Sequence, residues 1–370
     1  MAVNIDLQPI FDEIDSQNSA LSLEFSKLIY EKYISARSIR EMHNIQVGIK
    51  CGSKIPFADR GSNYDYMQHK EDLTSNCDFN ECDVTTTFSV KAWETKEYNC
   101  RVSLCRKDLE CDFNNWWDAN DCGDADNVGG NFIKFLVDWI GTALIESHWT
   151  KVWFAESSLP TTSKLYGADG LFVRMEAIAP PSNVEQRIEI PENAALTYAA
   201  QNALDPQRGF EVFNGLYNLA MESFELSGRS DIYIDTTKKL ALNYLQYLRT
   251  NNQVDCCERD TTTNNYALDS LKIFGLPIRV VNEWDSIIRG TKSKSDPTPI
   301  FAELNDGTRW TNPHRAVLTY KDNIPVGVCQ DGKLENVDIL YNPFERRINI
   351  DSEYEIGANI LLDNEFALAI

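Results

Sequence analysis

Four cysteines carry the most suggestive spacing in this sequence. Cys77, Cys82, Cys100 and Cys105 form a C-x4-C…C-x4-C pattern, and four thiolates can hold a structural zinc ion. The second pair argues against it. Cys100 and Cys105 fall on a predicted strand at an odd separation, so their side chains leave from opposite faces. Ten cysteines in a chain kept in a reducing compartment read better as free thiols that act as small core residues. Asp118 to Asp126 has the acid spacing of a calcium loop, but Cys122 stands at its fifth position and Gly129 at its twelfth, where a glutamate is needed. A solvated acidic loop explains it better. Only His43, His69, His148 and His314 are available as imidazoles, and no H-E-x-x-H, G-x-S-x-G, Walker or G-x-G-x-x-G motif occurs. Carboxylates are too numerous to single out a catalytic pair, so a carbohydrate-active or metal-dependent enzyme stays open on that ground alone. The eight tryptophans, Trp116, Trp117, Trp139, Trp149 and Trp153 among them, suit core and interface packing better than a binding groove. No residue is assigned a catalytic, cofactor-binding or metal-binding role.

Composition narrows the classes further. The chain has 370 residues, enough for two or three compact units. It carries 56 acidic against 35 basic residues, a formal charge of -21. Tight nucleic-acid binding draws on a basic footprint that displaces counterions from phosphates. An acidic surface instead repels DNA and leaves it mobile beside the protein. The start, Met1-Ala2-Val3-Asn4-Ile5-Asp6, lacks the basic segment and apolar run of an export signal. The best candidate for a membrane span, Phe132 to Ile145, is broken by Lys134 and Asp138 and falls short of the ~20 residues needed. These features predict a protein made and kept in a cytoplasm, with no membrane partner.

The elements that would position any site follow from periodicity. Ile10, Phe11, Ile14, Leu21, Leu23, Phe25, Leu28 and Ile29 recur at near-helical spacing and predict an arm with helix over residues 1 to about 45. Phe88, Val90 and Ala92 alternate with polar neighbours, and so do Tyr98, Cys100, Val102 and Leu104, about the short polar break 93–97. Two such runs predict one long β-hairpin over residues 85–104. A hairpin alone buries too little to stand independently. Phe132, Leu136, Trp139, Ile140, Ala143, Leu144, Val152 and Trp153 mark a long helix from about Gly130 to Phe154. Beyond residue 165, strands at 171–177, 187–190, 231–235 and 276–281 alternate with helices at 194–202, 209–226 and 236–250. The C-terminal section predicts an extended run at 315–319, a second hairpin from 337–341 and 347–350, and a terminal strand over 355–369 bent at Gly357.

This order of elements resembles the major capsid proteins of tailed bacteriophages, whose fold is shared with encapsulins. Asn99 to Leu109 resembles the return strand of the family's extended loop, and Phe132 to Ala155 its spine helix. Asp231-Ile232-Tyr233-Ile234-Asp235 and Phe274 to Val281 resemble the core of the axial domain. Arg315 to Thr319, with Asn323-Ile324-Pro325-Val326-Gly327, resembles the return into the peripheral domain, and Gly357-Ala358-Asn359 fits the last strand. The resemblance covers most of residues 45–370, and its specificity lies in the order of the motifs.

The resemblance implies an α+β fold with an N-terminal arm (1–50), an extended β-hairpin loop (51–110), a peripheral domain with spine helix and strand-rich sheet (111–165 and 315–370), and an α/β axial domain (166–314). It implies no enzyme and no cofactor. It implies a subunit that assembles with itself into hexamers and pentamers of an icosahedral head around double-stranded DNA, made in the host bacterial cytoplasm and resident in the virion. DNA would be a neighbour by non-specific proximity, and a portal and a separate scaffold or decoration protein would be partners. The first 50 residues are too short for the large scaffolding segment of some relatives. An encapsulin-like compartment is the alternative. Lys91, Trp93, Glu94, Lys96, Glu97 and Tyr98 are the candidate subunit-interface residues, with Trp93 and Tyr98 as anchors at the hairpin tip. Some relatives cross-link Lys to Asn, but Lys91 and Lys96 read as ordinary solvated lysines.

Overall fold

The computed structural model describes residues 42–59, 87–105, 135, 146–222, 226, 229–251, 268, 271–292, 296–328, 337–342, 344–345 and 347–370. The predicted arm up to residue 41, the acidic loop 118–126, Cys77, Cys82, His69, Trp116, Trp117 and Trp139 lie outside these residues. The fold is mixed helix and sheet, as the alternating periodicities predict.

Two sheets dominate. In the first, β12 (Arg347–Ala358) is the central strand. Along one edge it pairs antiparallel with β4 (Lys96–Cys105) over ten register positions, from Arg347↔Cys105 to Ile356↔Lys96. Along the other edge it meets first β11 (Val337–Asn342) and then β10 (Val326–Val328), both antiparallel. β1 (Ile45–Val47) lies parallel to β10 at the margin. The predicted second hairpin is present: Asn342 pairs Arg347 beside its turn. Ile348, Ile350, Tyr354 and Ile356 alternate into one core with Trp149, Trp153, Phe172 and Trp284. The ring centroids of Trp153, Phe172 and Trp284 lie 4.6–5.0 Å apart in tilted and edge-on contacts, geometry that adds to plain area burial.

The second sheet runs in the order β5 (Arg187–Ile188), β13 (Ala367–Ala369), β9 (Ala316–Thr319), β6 (Tyr233–Thr236), β8 (Leu276–Val280), β7 (Lys272–Ile273). Helices Arg208–Glu222 and Lys238–Thr250 cover one face with Val212, Phe213, Leu216, Leu240, Tyr244 and Leu248. They cross closely at Gly209, where a Cβ would stand 2.6 Å from the Tyr244 nitrogen. Ala316 and Leu318 face this second core while Val317 between them faces the first, and Ala367, Leu368 and Ala369 divide in the same way. The sheet is a wall shared by two cores. That is why its strands read as continuous apolar runs and not as alternating ones. It also places 316–319 and 367–369 beside 233–280, while 326–328 and 347–358 belong to the first sheet.

Three expectations are corrected. Leu171–Ile178 is a helix, not a strand; Leu171, Phe172, Met175 and Ala179 are its buried positions, one helical face. The strand predicted over 355–369 is two: β12 continues through Gly357 and ends at Ala358, and β13 begins at Ala367, so the break falls after Gly357 and not at it. The predicted hairpin over 85–104 does not form. β3 (Thr87–Ala92) pairs with β2 (Lys54–Asp59), and β4 pairs with β12. The period-2 pattern was right for both strands, but it carries no information about partners, and residues 93–95 turn a corner between sheets. Of the predicted spine helix, residues 146–153 are described and helical, with Trp149, Val152 and Trp153 buried.

Candidate functional site

The site is the place where the β2–β3 ribbon leaves the body. β2 and β3 pack on each other, and among the described residues no other strand or helix meets them beyond isolated contacts. Trp93 and Glu94–Thr95 form the root. Trp93 is 1% exposed, and its backbone is tied to the β2 side by Trp93 N–H to the Ser53 carbonyl (2.8 Å) and Gly52 N–H to the Trp93 carbonyl (2.9 Å). Beneath this crossing lie two glycines paired across strands, Gly327 of β10 and Gly357 of β12. A Cβ on Gly327 would stand 2.9 Å from the Trp93 ring, and one on Gly357 would stand 2.6 Å from the Glu94 carbonyl oxygen. Paired residues of antiparallel strands point to the same face, so the two glycines make one flat bed for the chain from 93 to 95. Among the described residues the indole N–H of Trp93 has no hydrogen-bond partner; the ring is held by shape.

Side chains clamp the root from each flank. Lys91 Nζ donates to the Ile360 carbonyl (2.9 Å) and to Asp363. Asn359 Nδ2 donates to the Ala92 carbonyl at 3.3 Å. Glu355 accepts from the Thr95 hydroxyl and from the Cys51 N–H. Glu94 pairs with Arg174 at 2.7 Å. Glu94 is largely exposed, so Glu94→Gln is expected to lower stability by less than about 1 kcal/mol in urea unfolding, with no change in secondary structure by circular dichroism.

Beyond the root, β4 starts along β12. Tyr98 stacks on Tyr354, with ring centroids 5.6 Å apart, and its hydroxyl accepts from the Ala168 N–H at 3.1 Å. Burial pushes the Tyr98 phenol up to about 12. Lys96 lies 4.1 Å from the centroid of the Tyr166 ring. Glu97 is exposed.

The six candidate interface residues are therefore contiguous at the root. Trp93 and Tyr98 do not stand at a tip; they pack within their own chain. Spacing gave no sign of the partners that hold the chain from 91 to 95: Gly327, Gly357, Arg174, Glu355 and Asp363. Each is distant in sequence, and only an invariant small residue across relatives could have flagged the glycines.

No family model matches the sequence, and no curated protein does. Among solved structures, the chain is similar to a chain of the satellite phage P4 procapsid that includes the size determination protein, at 12% identity and a TM-score of 0.48, over 90% of this chain and 96% of that one. It is similar to Gordonia phage Cozz at 12% identity and a TM-score of 0.47, over 89% and 84% of the two chains. For Mycobacterium phage Ogopogo the identity is 14% and the TM-score 0.42, over 89% and 90%.

Metal and redox chemistry find little here. Among the described residues, no group of three or more His, Cys, Asp or Glu side chains could hold a metal ion. Cys51 and Cys105 are exposed free thiols. β4 passes unbroken through Cys100 and Cys105, at register positions of opposite parity. His43, His148 and His314 are buried, and burial holds their imidazoles at about 4, about 3 and about 4, against an ordinary 6.5. Such groups are core components in the neutral form. Among the described residues, no helix is long and apolar enough to cross a membrane.

Proposed function

We propose that this chain is the major capsid protein of a tailed bacteriophage. It builds the icosahedral head that encloses double-stranded DNA, by self-assembly into hexamers and pentamers. The observation that carries this reading is the β2–β3 ribbon: two strands of six residues each, anchored at the root by Lys91 and Ala92 and, among the described residues, with no other strand or helix packed along it beyond isolated contacts. A lone two-stranded ribbon is marginal in water. A second copy supplies what it lacks, by pairing with its edges or covering its face. Head-to-tail contacts of this kind close into rings and shells when their rotations close.

The rest of the chain suits the same task. The ribbon, a peripheral body on the first sheet and an axial body on the second give three surfaces for different neighbours. Glu94 and Glu97, the exposed carboxylates of the six root residues, set register against the next subunit by charge. The net charge of -21 keeps packaged DNA mobile against the inner surface. Portal, scaffold and decoration proteins are the partners such a shell requires, and the chain itself needs no catalytic step. In electron micrographs of the expressed protein, closed shells or rings of five or six subunits are expected. Monodisperse monomers, both alone and with a co-expressed scaffold, would overturn the reading.

A further inference from the structure

We propose that a cleft beside the ribbon root is the seat for the acidic segment 71–83 of a second copy of this chain. The cleft has a volume of about 590 Å³ and is lined by Lys96, Lys151, Lys164, Tyr98, Tyr166 and Tyr354. That volume takes a few residues of peptide. In a chain of net charge -21, three ammonium groups on one cleft are a local reversal of sign, and Glu97 is the only carboxylate among the described residues of its lining. Lys151 donates to the carbonyls of Lys164 and Tyr166 at 2.6 and 2.8 Å and lies 5.0 Å from the centroid of the Tyr98 ring. Lys96 covers the Tyr166 ring. None of the three lysines forms an ion pair with a carboxylate among the described residues. Burial also holds the Lys151 ammonium below its ordinary range, the signature of a cation that an incoming carboxylate would stabilise.

The sequence of the chain supplies the complement. Glu71, Asp72, Asp78, Glu81 and Asp83 fall in a stretch with no Lys or Arg, and Leu73 and Phe79 offer apolar contact for the tyrosines. In sequence the segment falls between β2 and β3. The cleft lies at the ribbon's own root. A strand of six residues spans about 20 Å at ~3.3 Å per residue, so Asp59 and Thr87, the paired residues that flank the stretch containing the segment, stand at the end of the ribbon opposite the cleft, which favours a neighbour's cleft over the chain's own. A phosphate backbone would also meet three cations here, but it would have to approach through the field of an acidic chain, which favours the peptide.

This inference rests on the reading that copies of the chain pack side by side. The test titrates full-length protein into a fluorescein-labelled peptide of residues 71–83, with Cys77 and Cys82 as serine, and follows anisotropy. Saturable binding that weakens with salt is expected. The variant carrying Lys96→Glu and Lys164→Glu should bind at least ten-fold more weakly, and a peptide with its five acids as Asn or Gln should not bind. Lys164→Gln, at an exposed position, is the milder variant should the double one misfold; it should weaken binding two- to three-fold. In assembly, the double variant should give fewer than one-tenth of the shells, and adding Glu71→Lys, Asp78→Lys and Glu81→Lys should restore them. Equal peptide binding by wild type and variants overturns the proposal, and leaves the capsid reading standing if shells still form. Loss of duplex-oligonucleotide binding with peptide binding unchanged overturns it in favour of a phosphate site. Specific peptide binding without any shells supports the cleft and sinks the capsid reading.

Discussion

Trp93→Ala is expected to lower the unfolding free energy of the chain by about 3–5 kcal/mol, the range for removing a buried tryptophan and leaving its space empty. Trp93 is 1% exposed and lies on Gly327, whose missing side chain is the room the ring occupies. The gap cannot close easily. Its floor is the paired backbone of β10 and β12, and its walls are fixed by the Ser53 and Gly52 hydrogen bonds. The measurement is the urea midpoint followed by the remaining tryptophans. A residue at an exposed tip would behave otherwise: alanine there would change stability by no more than about 0.5 kcal/mol and disturb association alone. Stability loss therefore tests the root described here, and a near-neutral result would rule it out. Gly327→Ala should act in the same direction with a smaller cost of about 1–3 kcal/mol, because its new methyl would press into the ring from below. The ribbon's bearing on the body depends on this contact. Under the proposed capsid function, either variant should form fewer closed shells than its residual stability alone would allow.

What the sequence made legible was local, and what it hid was long-range. The runs Thr87–Ala92 and Lys96–Cys105 are strands where alternation predicts strands. Their partners, 54–59 and 347–356, are separated from them by stretches that no local pattern spans. Two adjacent alternating runs invite the hairpin assignment because short connections are common. The feature that argues against it is Trp93 itself, a large apolar residue in what would be a solvent-exposed turn. Leu171–Ile178 misled in a different way. Its apolar run is short, and short runs read as strand or helix with equal ease. The helix is decided by tertiary contact of Phe172 with Trp153 and Trp284. The lysine-lined cleft was invisible for the same reason as the glycine bed. Lys96, Lys151 and Lys164 come from a strand, a helix and a loop, and only the fold gathers them.

Acidification is expected to destabilise the chain from about pH 6.5 downward, through its buried histidines. His43 is the clearest case. The indole N–H of Trp153 donates to its Nε2 at 3.1 Å, so Nδ1 carries the proton and donates to the Ile324 carbonyl at 3.0 Å. A second proton, on Nε2, would face the Trp153 donor head-on, in a pocket that also feels the charges of Arg279 and Lys321. In the unfolded chain the imidazole takes that proton near 6.5, and in the folded chain only near 4. Between those values the unfolded state binds more protons, so stability is full above 6.5 and falls as the pH drops. From pH 7.5 to 5 the loss is about 2 kcal/mol for each histidine that stays neutral in the fold. His148 and His314 act in the same sense. Burial raises the carboxyls of Asp235 and Asp285, and these act in the opposite sense, so the net profile alone does not isolate the imidazoles. His43→Gln does. Its amide can accept from Trp153 and donate to Ile324 without a titrating proton. The variant should lose about 2 kcal/mol less than wild type between pH 7.5 and 5, measured as urea midpoints. Parallel profiles would mean that His43 is already charged in the folded chain. His43 lies beside Met42, whose carbonyl accepts from the Tyr233 hydroxyl at 3.1 Å, so its protonation would loosen the body first at this junction with the second sheet.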